Sequence, residues 1–300
     1  MKPGAEAAII ANSMTSKTLI LTALSCEATP LIKAWDAKPL REHPCAERFQ
    51  VFHSHDTYIA TTGIGKVRAA IATSTLLTGL FPGTFHGEAA PLVANIGIAG
   101  SSDSQLPIGT LTYINKVRDV ATNTRFYPDI LVRHALPESP LDTYDHPVTT
   151  PPEAPVTVDM EGSGVIQAAT TLGSPSSLCI LKVISDHCSG QRISPHEAST
   201  LIAQHTDSLH NLLDTIRSAL PEPSRLSADD RALLETTYTH ATLSLSQRIE
   251  LQRRITALHA QGIPWSQTIV RFLTIPITTK EARNTAYTAL LHELSEAVTL

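Results

Sequence analysis

The stretch "VDMEGSG", Val158 to Gly164, places two carboxylates, Asp159 and Glu161, on either side of Met160 at the end of an apolar run. Two more acids stand at comparable places. Glu27 closes "TLILTALSCE", and Asp186 closes "LCILKVISD" with Ser185 beside it. Carboxylates accept hydrogen bonds from hydroxyls and exchange protons with reacting groups, most effectively when their surroundings tune their acidity. Acids at strand ends also cap the helices that follow, and for Asp159 taken alone capping is the simpler reading. "GIGKV", Gly63 to Val67, and "NIGIAG", Asn95 to Gly100, add glycine turns, but neither has the pattern of a phosphate-binding loop or a dinucleotide fingerprint.

For residues so far apart in the chain to act together, the fold must gather them. From Lys17 the sequence alternates short, β-branched apolar runs with stretches of helical spacing, which predicts an α/β domain with a largely parallel, buried sheet. Ligands of such sheets collect at the carboxyl ends of the strands. Glu27, the Gly97 to Gly100 turn, Asp159 with Glu161, and Ser185 with Asp186 are all expected at that edge. Residues 1–16 read as a disordered leader, 17–220 as the α/β domain and 221–300 as a helical extension. Pro137 to Pro155 reads as a long loop over the edge of the site, and Pro221 to Pro223 as a linker. In the extension, Ser244-x-x-Gln247 and Thr278-x-x-Glu281 read as capping boxes and Gly262 as a helix stop. Leu251, Ile255 and Leu258, then Ala286, Leu290 and Leu294, form one apolar stripe per helix.

Composition narrows the partners. A net charge of −5 and a pI near 6.2 provide no electrostatic footprint for nucleic acid or an anionic membrane, so a small molecule is the expected ligand. Four cysteines without regular spacing read as reduced thiols, and no targeting or membrane-spanning segment is legible, which makes a cytoplasmic location the default. His53-x-His55 reads as two histidines exposed on a strand rather than a metal site.

The ordered set "GIGKV", "NIGIAG", "VDMEG" and "VISD", each at the end of an apolar run, resembles the nucleoside phosphorylase and nucleosidase superfamily, closest to the methylthioadenosine/S-adenosylhomocysteine nucleosidases. The likeness spans about residues 17 to 218. It implies a three-layer α/β/α fold with a mixed central sheet, here followed by the helical extension. It also implies cleavage of a purine N-ribosidic bond, in which positive charge builds on the ribose and negative charge on the departing base. By this resemblance Glu161 accepts hydrogen bonds from the ribose hydroxyls, with Met160 against the sugar. Asp186, oriented by Ser185, protonates or hydrogen-bonds the leaving base. Glu27 holds and deprotonates the attacking water, and Ala99 and Gly100 provide backbone contacts, while Asp159 completes the substrate-binding set. No cofactor or metal is implied, and a homodimer is the family's usual state.

The chain departs from the family's pattern where the nucleosidases carry an arginine two residues before "ISD": Lys182 stands there and cannot offer the same planar fork. Ile98 replaces a serine, and "HCSG" follows Asp186, leaving His187 and Cys188 as rim residues or a change of specificity. Two rival readings remain: a phosphorylase of the same fold, disfavoured because "ALSCEATP" lacks arginine, and a nucleoside sensor whose output is the helical extension. Arg68 reads as an ion-pair partner or a contact for an anionic substituent. Phe126 and Tyr127 read as core beneath a loop.

Overall fold

A computed structural model describes residues 17–82, 90–172, 177–190, 192–220 and 226–296. The leader over 1–16 and the linker at Pro221 to Pro223 lie outside the described residues. Those described fall into two compact units, one ending at residue 220 and the other beginning at 226.

The first unit alternates strands and helices as the apolar pattern predicts. β1 (Thr18–Thr22) leads into α1 (Ser25–Ala34). β2 (Lys38–Pro39), β3 (Val51–Ser54) and β4 (Thr57–Thr61) precede α2 (Lys66–Leu80). β5 (Leu92–Ser101), β6 (Leu111–Asp119), β7 (Arg125–Phe126), β8 (Glu138–Thr143) and β9 (Thr157–Asp159) lead into α3 (Gly162–Leu172). β10 (Leu178–Asp186) is followed by α4 (Pro195–Ala203) and α5 (Thr206–Ala219). β4, β1, β5 and β10 are neighbours in that order and all parallel, so their carboxyl ends share one edge.

Alternation along the strands builds the three layers. Leu19 and Leu21 of β1, with Leu178 and Ile180 of β10, pack on Ala72 and Leu76 of α2 and on Val165 and Ile166 of α3. The intervening Ile20, Cys179, Leu181 and Val183 pack on Leu31 of α1, Ile202 of α4 and Leu213 of α5. The expected α/β/α sandwich follows. Its mixed character comes from β3, antiparallel to β4, from β6, antiparallel to β10, and from β9, which runs antiparallel to β5, pairing Val158 with Gly100 and Thr157 with Ser101. Asp159 and Glu161 therefore reach the site by coming back along β5 rather than arriving with the parallel strands.

Three local expectations change. The chain from Gly97 to Gly100 is not a turn but the upper part of the ten-residue β5. The proline-flanked segment expected as one long loop contains β8, paired between β6 and β9, because alternating residues from Ser139 to Thr143 bury into the sheet despite Pro140. β1 ends at Thr22, which places Glu27 in the first turn of α1 rather than at the end of the strand.

The second unit consists of α6 (Ala228–His240), α7 (Leu245–Ala260), α8 (Ser266–Leu273) and α9 (Lys280–Glu296). Ser244 caps α7 with Gln247 in the expected box, and Gly262 takes the left-handed conformation just past its end, φ +69°. The cap of α9 is shifted by one residue: Thr279 Oγ1, not Thr278, accepts from Ala282 N. Leu251, Ile255, Leu258, Ala286, Leu290 and Leu294 all enter one core with Trp265 and Phe272. Among the described residues no helix is long and apolar enough to cross a membrane.

Candidate active site

Lys182 organises the acids. On β10 the alternation that turns Leu178 and Ile180 toward α2 and α3 turns Lys182 the same way, at the height of Gly97 on the adjoining strand. Its ammonium lies 2.9 Å from Asp159 Oδ2, with both side chains at most 3 % exposed. Burial alone would lower the Lys182 pKa, but the charges of Asp159, Glu161 and Glu27 outweigh it and hold the ammonium above its ordinary value. One buried cation thus balances three acids from different parts of the chain.

Asp159 is fully engaged. Thr143 Oγ1 donates to its Oδ1 at 2.8 Å, and Gly162 N, at the start of α3, donates to Oδ2 at 2.8 Å. The capping role read for this residue alone is present, combined with the ion pair. With three partners and almost no exposure of its side chain, Asp159 anchors Lys182.

Glu161 accepts from Gly65 N at 2.8 Å. That donor is the uncapped residue before α2, held with φ +101°. The close approach depends on Gly164, where a Cβ would fall 2.0 Å from the Lys66 carbonyl oxygen, so only glycine lets the starts of α2 and α3 meet. Lys66 ties the same corner to Asp119 at 2.9 Å and Asp145 at 3.1 Å, and Ser163 Oγ donates to Asp119 at 3.0 Å. Met160, half-buried, sits between the two acids.

Burial, then the charge of Asp159, pushes the Glu161 carboxyl up to about 7. Between its ordinary 4.5 and about 7 the folded chain keeps a proton that the unfolded chain releases, so this residue's contribution to stability is lost as pH rises through that window. Glu161→Gln removes the titration. Its stability relative to the parent should therefore rise between pH 5 and pH 8 in urea denaturation; an equal difference at both pH values would contradict the assignment.

Glu27, 2 % exposed, is held at two points: Ile98 N donates to Oε1 at 2.9 Å and Leu24 N to Oε2 at 2.8 Å. Burial raises its pKa against the pull of these amides and of Lys182. Gly97 makes room for it, since a Cβ there would stand 2.7 Å from Oε1. Ile98, expected to cost the site a side-chain partner, provides its backbone amide instead.

Asp186 forms a neighbouring group further along the same strand pair. Its Oδ2 lies 2.8 Å from Ser185 Oγ, which is also 3.1 Å from the Ala99 carbonyl, and its Oδ1 accepts from Cys188 N at 2.8 Å. β10 carries a register shift between Ile184 and Asp186, so Asp186 pairs with Gly100. Gly100 stands three residues beyond Gly97, roughly 10 Å along the strand. The structure thus gathers Glu27, Glu161 and Asp159 around Lys182 and sets Asp186, Ser185, Ala99 and Gly100 beyond them. Cys188 is buried and His187 Nδ1 lies 3.3 Å from the Ser101 carbonyl, so both belong to the base of this second group. Tyr127 is 66 % exposed, outside the core expected for it, while Phe126 packs partly on the sheet.

The sequence reading missed the amide donors. Gly65 N and Ile98 N fix the two glutamates, yet backbone groups leave no trace in residue type beyond the glycines that let them approach.

The sequence profile of the phosphorylase superfamily matches residues 17–154. No curated protein sequence gives a significant match. Among solved structures, the 5′-methylthioadenosine nucleosidase of Arabidopsis thaliana superposes with a TM-score of 0.55 at 16 % identity, covering 69 % of this chain and 99 % of that one. The methylthioadenosine/S-adenosylhomocysteine nucleosidase of Colwellia psychrerythraea, solved with adenine, gives 0.51 at 24 % identity over 69 % and 96 % of the two chains. A futalosine hydrolase mutant of Helicobacter pylori gives 0.51 at 19 %, over 67 % and 99 %. The resemblance read from the motifs therefore holds: the chain is similar to the phosphorylase superfamily over residues 17–154, and the α/β unit has the fold of these nucleosidases.

Proposed function

We propose that the α/β unit hydrolyses the N-ribosidic bond of an adenine-type nucleoside. The observation that carries this reading is Glu27. The amides at the start of a helix are a natural seat for an anion such as phosphate. At the start of α1 the Leu24 amide is taken by the chain's own carboxylate, whose other oxygen is taken by Ile98 N. A phosphate dianion beside it would meet a like charge, whereas a neutral water would meet a base strengthened by burial.

The remaining roles follow from position. Glu161, anchored through one oxygen by Gly65 N, keeps lone pairs for the ribose hydroxyls, and its negative charge favours the developing oxocarbenium. Asp186 serves the leaving base, and Ser185 suits both of its protonation states. With Asp186 charged, the serine hydroxyl donates to it; with Asp186 protonated, the serine accepts and turns its own proton to the Ala99 carbonyl. Water attacks C1′ as its proton passes to Glu27, the glycosidic electron pair leaves with the base, and Asp186 provides the proton that the base takes up. The resembled nucleosidases suggest a 5′-thioadenosine substrate, and a homodimer is the proposed assembly.

The test is adenine release from 5′-methylthioadenosine in phosphate-free buffer. We expect turnover there with no gain on adding inorganic phosphate, and strict dependence on phosphate would overturn hydrolysis.

A further inference from the structure

A cleft of about 400 Å³ opens beside the acidic cluster, lined by Ser25, Arg48, Phe49, Gly63, Arg68 and Ile71 among others. It carries two guanidinium groups and no carboxylate. Neither Arg48 nor Arg68 has an ion-pair or side-chain hydrogen-bond partner among the described residues, although both line the same cleft. Arg68 is also placed rather than splayed: its side chain lies over Gly63, where a Cβ would come within 3.2 Å of both its Cδ and Nη1. Gly63, at φ +82°, turns the chain and leaves the guanidinium room.

The position of the cleft in the sheet tells which part of a substrate would meet it. Across the carboxyl edge the order is β10, β5, β1, β4, with Asp186 on β10, Gly97 on β5, Glu27 just after β1 and Thr61 to Gly63 at the end of β4. At about 4.8 Å per strand, the cleft is displaced roughly 14 Å from the base-assisting aspartate. Ser25 and Gly63 on its wall are each two residues from a group of the acidic site, the water-holding Glu27 and the Gly65 amide that anchors Glu161. A nucleoside with its base at Asp186 and its ribose at Glu161 runs along this edge, so what projects toward β4 is the far side of the sugar.

Resting on the nucleosidase reading, we propose that this cleft is a subsite for an anionic group at the end of the substrate's 5′ substituent, a carboxylate or phosphate gripped by Arg48 and Arg68. Paired guanidinium groups match the geometry of such anions. Phe49 and Ile71 provide apolar wall for the linking atoms. Because both arginines are exposed, the preference is screened by salt.

The experiment compares 5′-carboxypropylthioadenosine with its primary amide, a neutral molecule of nearly the same shape. The parent should favour the carboxylate in kcat/KM by tenfold or more, about 1.4 kcal/mol. Arg48→Gln and Arg68→Gln should each draw the ratio toward unity, as should raised ionic strength. If both nucleosides are cleaved equally and the ratio ignores the arginine variants, the subsite is wrong while hydrolysis stands. If neither is cleaved by the parent, the nucleosidase reading itself fails. If turnover instead rises with inorganic phosphate and that rise is lost in the arginine variants, the cleft holds the incoming group, which overturns the subsite and the hydrolytic reading together.

Discussion

Lys182→Met is expected to lower the unfolding free energy by about 3–5 kcal/mol, the cost of removing one partner from a buried charge pair. Methionine fills similar space, so the loss is electrostatic rather than a cavity. Asp159 would keep its bonds to Thr143 and Gly162 but lose its counterion, with Glu161 close by and Glu27 acting on the same spot. The deficit should be larger at pH 8 than at pH 5, because without the lysine these acids can relieve their repulsion only by taking up protons, which are scarcer at high pH. Urea denaturation of parent and variant at both pH values measures this. A loss below about 1 kcal/mol, the size expected of an exposed ion pair, would mean that Lys182 does not hold the cluster together.

Asp186→Asn should lower kcat for base release by roughly 10²- to 10⁴-fold, the usual contribution of a positioned acid, with a much smaller change in KM. The substitution is gentle to the fold. An asparagine oxygen can still accept from Cys188 N, and its amide can donate to Ser185 Oγ while that hydroxyl donates to the Ala99 carbonyl. What asparagine lacks is a proton to give. Steady-state adenine release with the folded variant is the measurement, and retention of more than a tenth of parental kcat would remove Asp186 from the proton-donating role.

The two substitutions probe groups that differed in how openly the sequence displayed them. Asp186 could be found because it closes a nine-residue apolar run, and the strand it terminates is the strand that forms. Glu161 was visible as the acid just past the short apolar run that becomes β9, and so was the alternation that sorts Leu19 and Ile20 to opposite faces. Asp159 was legible only in part: its helix-capping geometry follows from the three residues after it, whereas its ion pair joins residues 23 positions apart, 159 and 182.

By itself, the sequence determined the alternation of strands and helices, the buried faces of most of them, and the residue types available for acid–base chemistry. Those properties are written in neighbouring residues, through the periods at which apolar side chains recur. Only the tertiary structure decided that β9 returns antiparallel along β5, that Lys182 faces three acids, that Gly65 N and Ile98 N aim at two glutamates, and that Arg48 and Arg68 share a cleft without an acid. Each depends on which distant segments pair and how closely their backbones approach. A spacing along the chain carries no record of that, because packing across the sheet sets it.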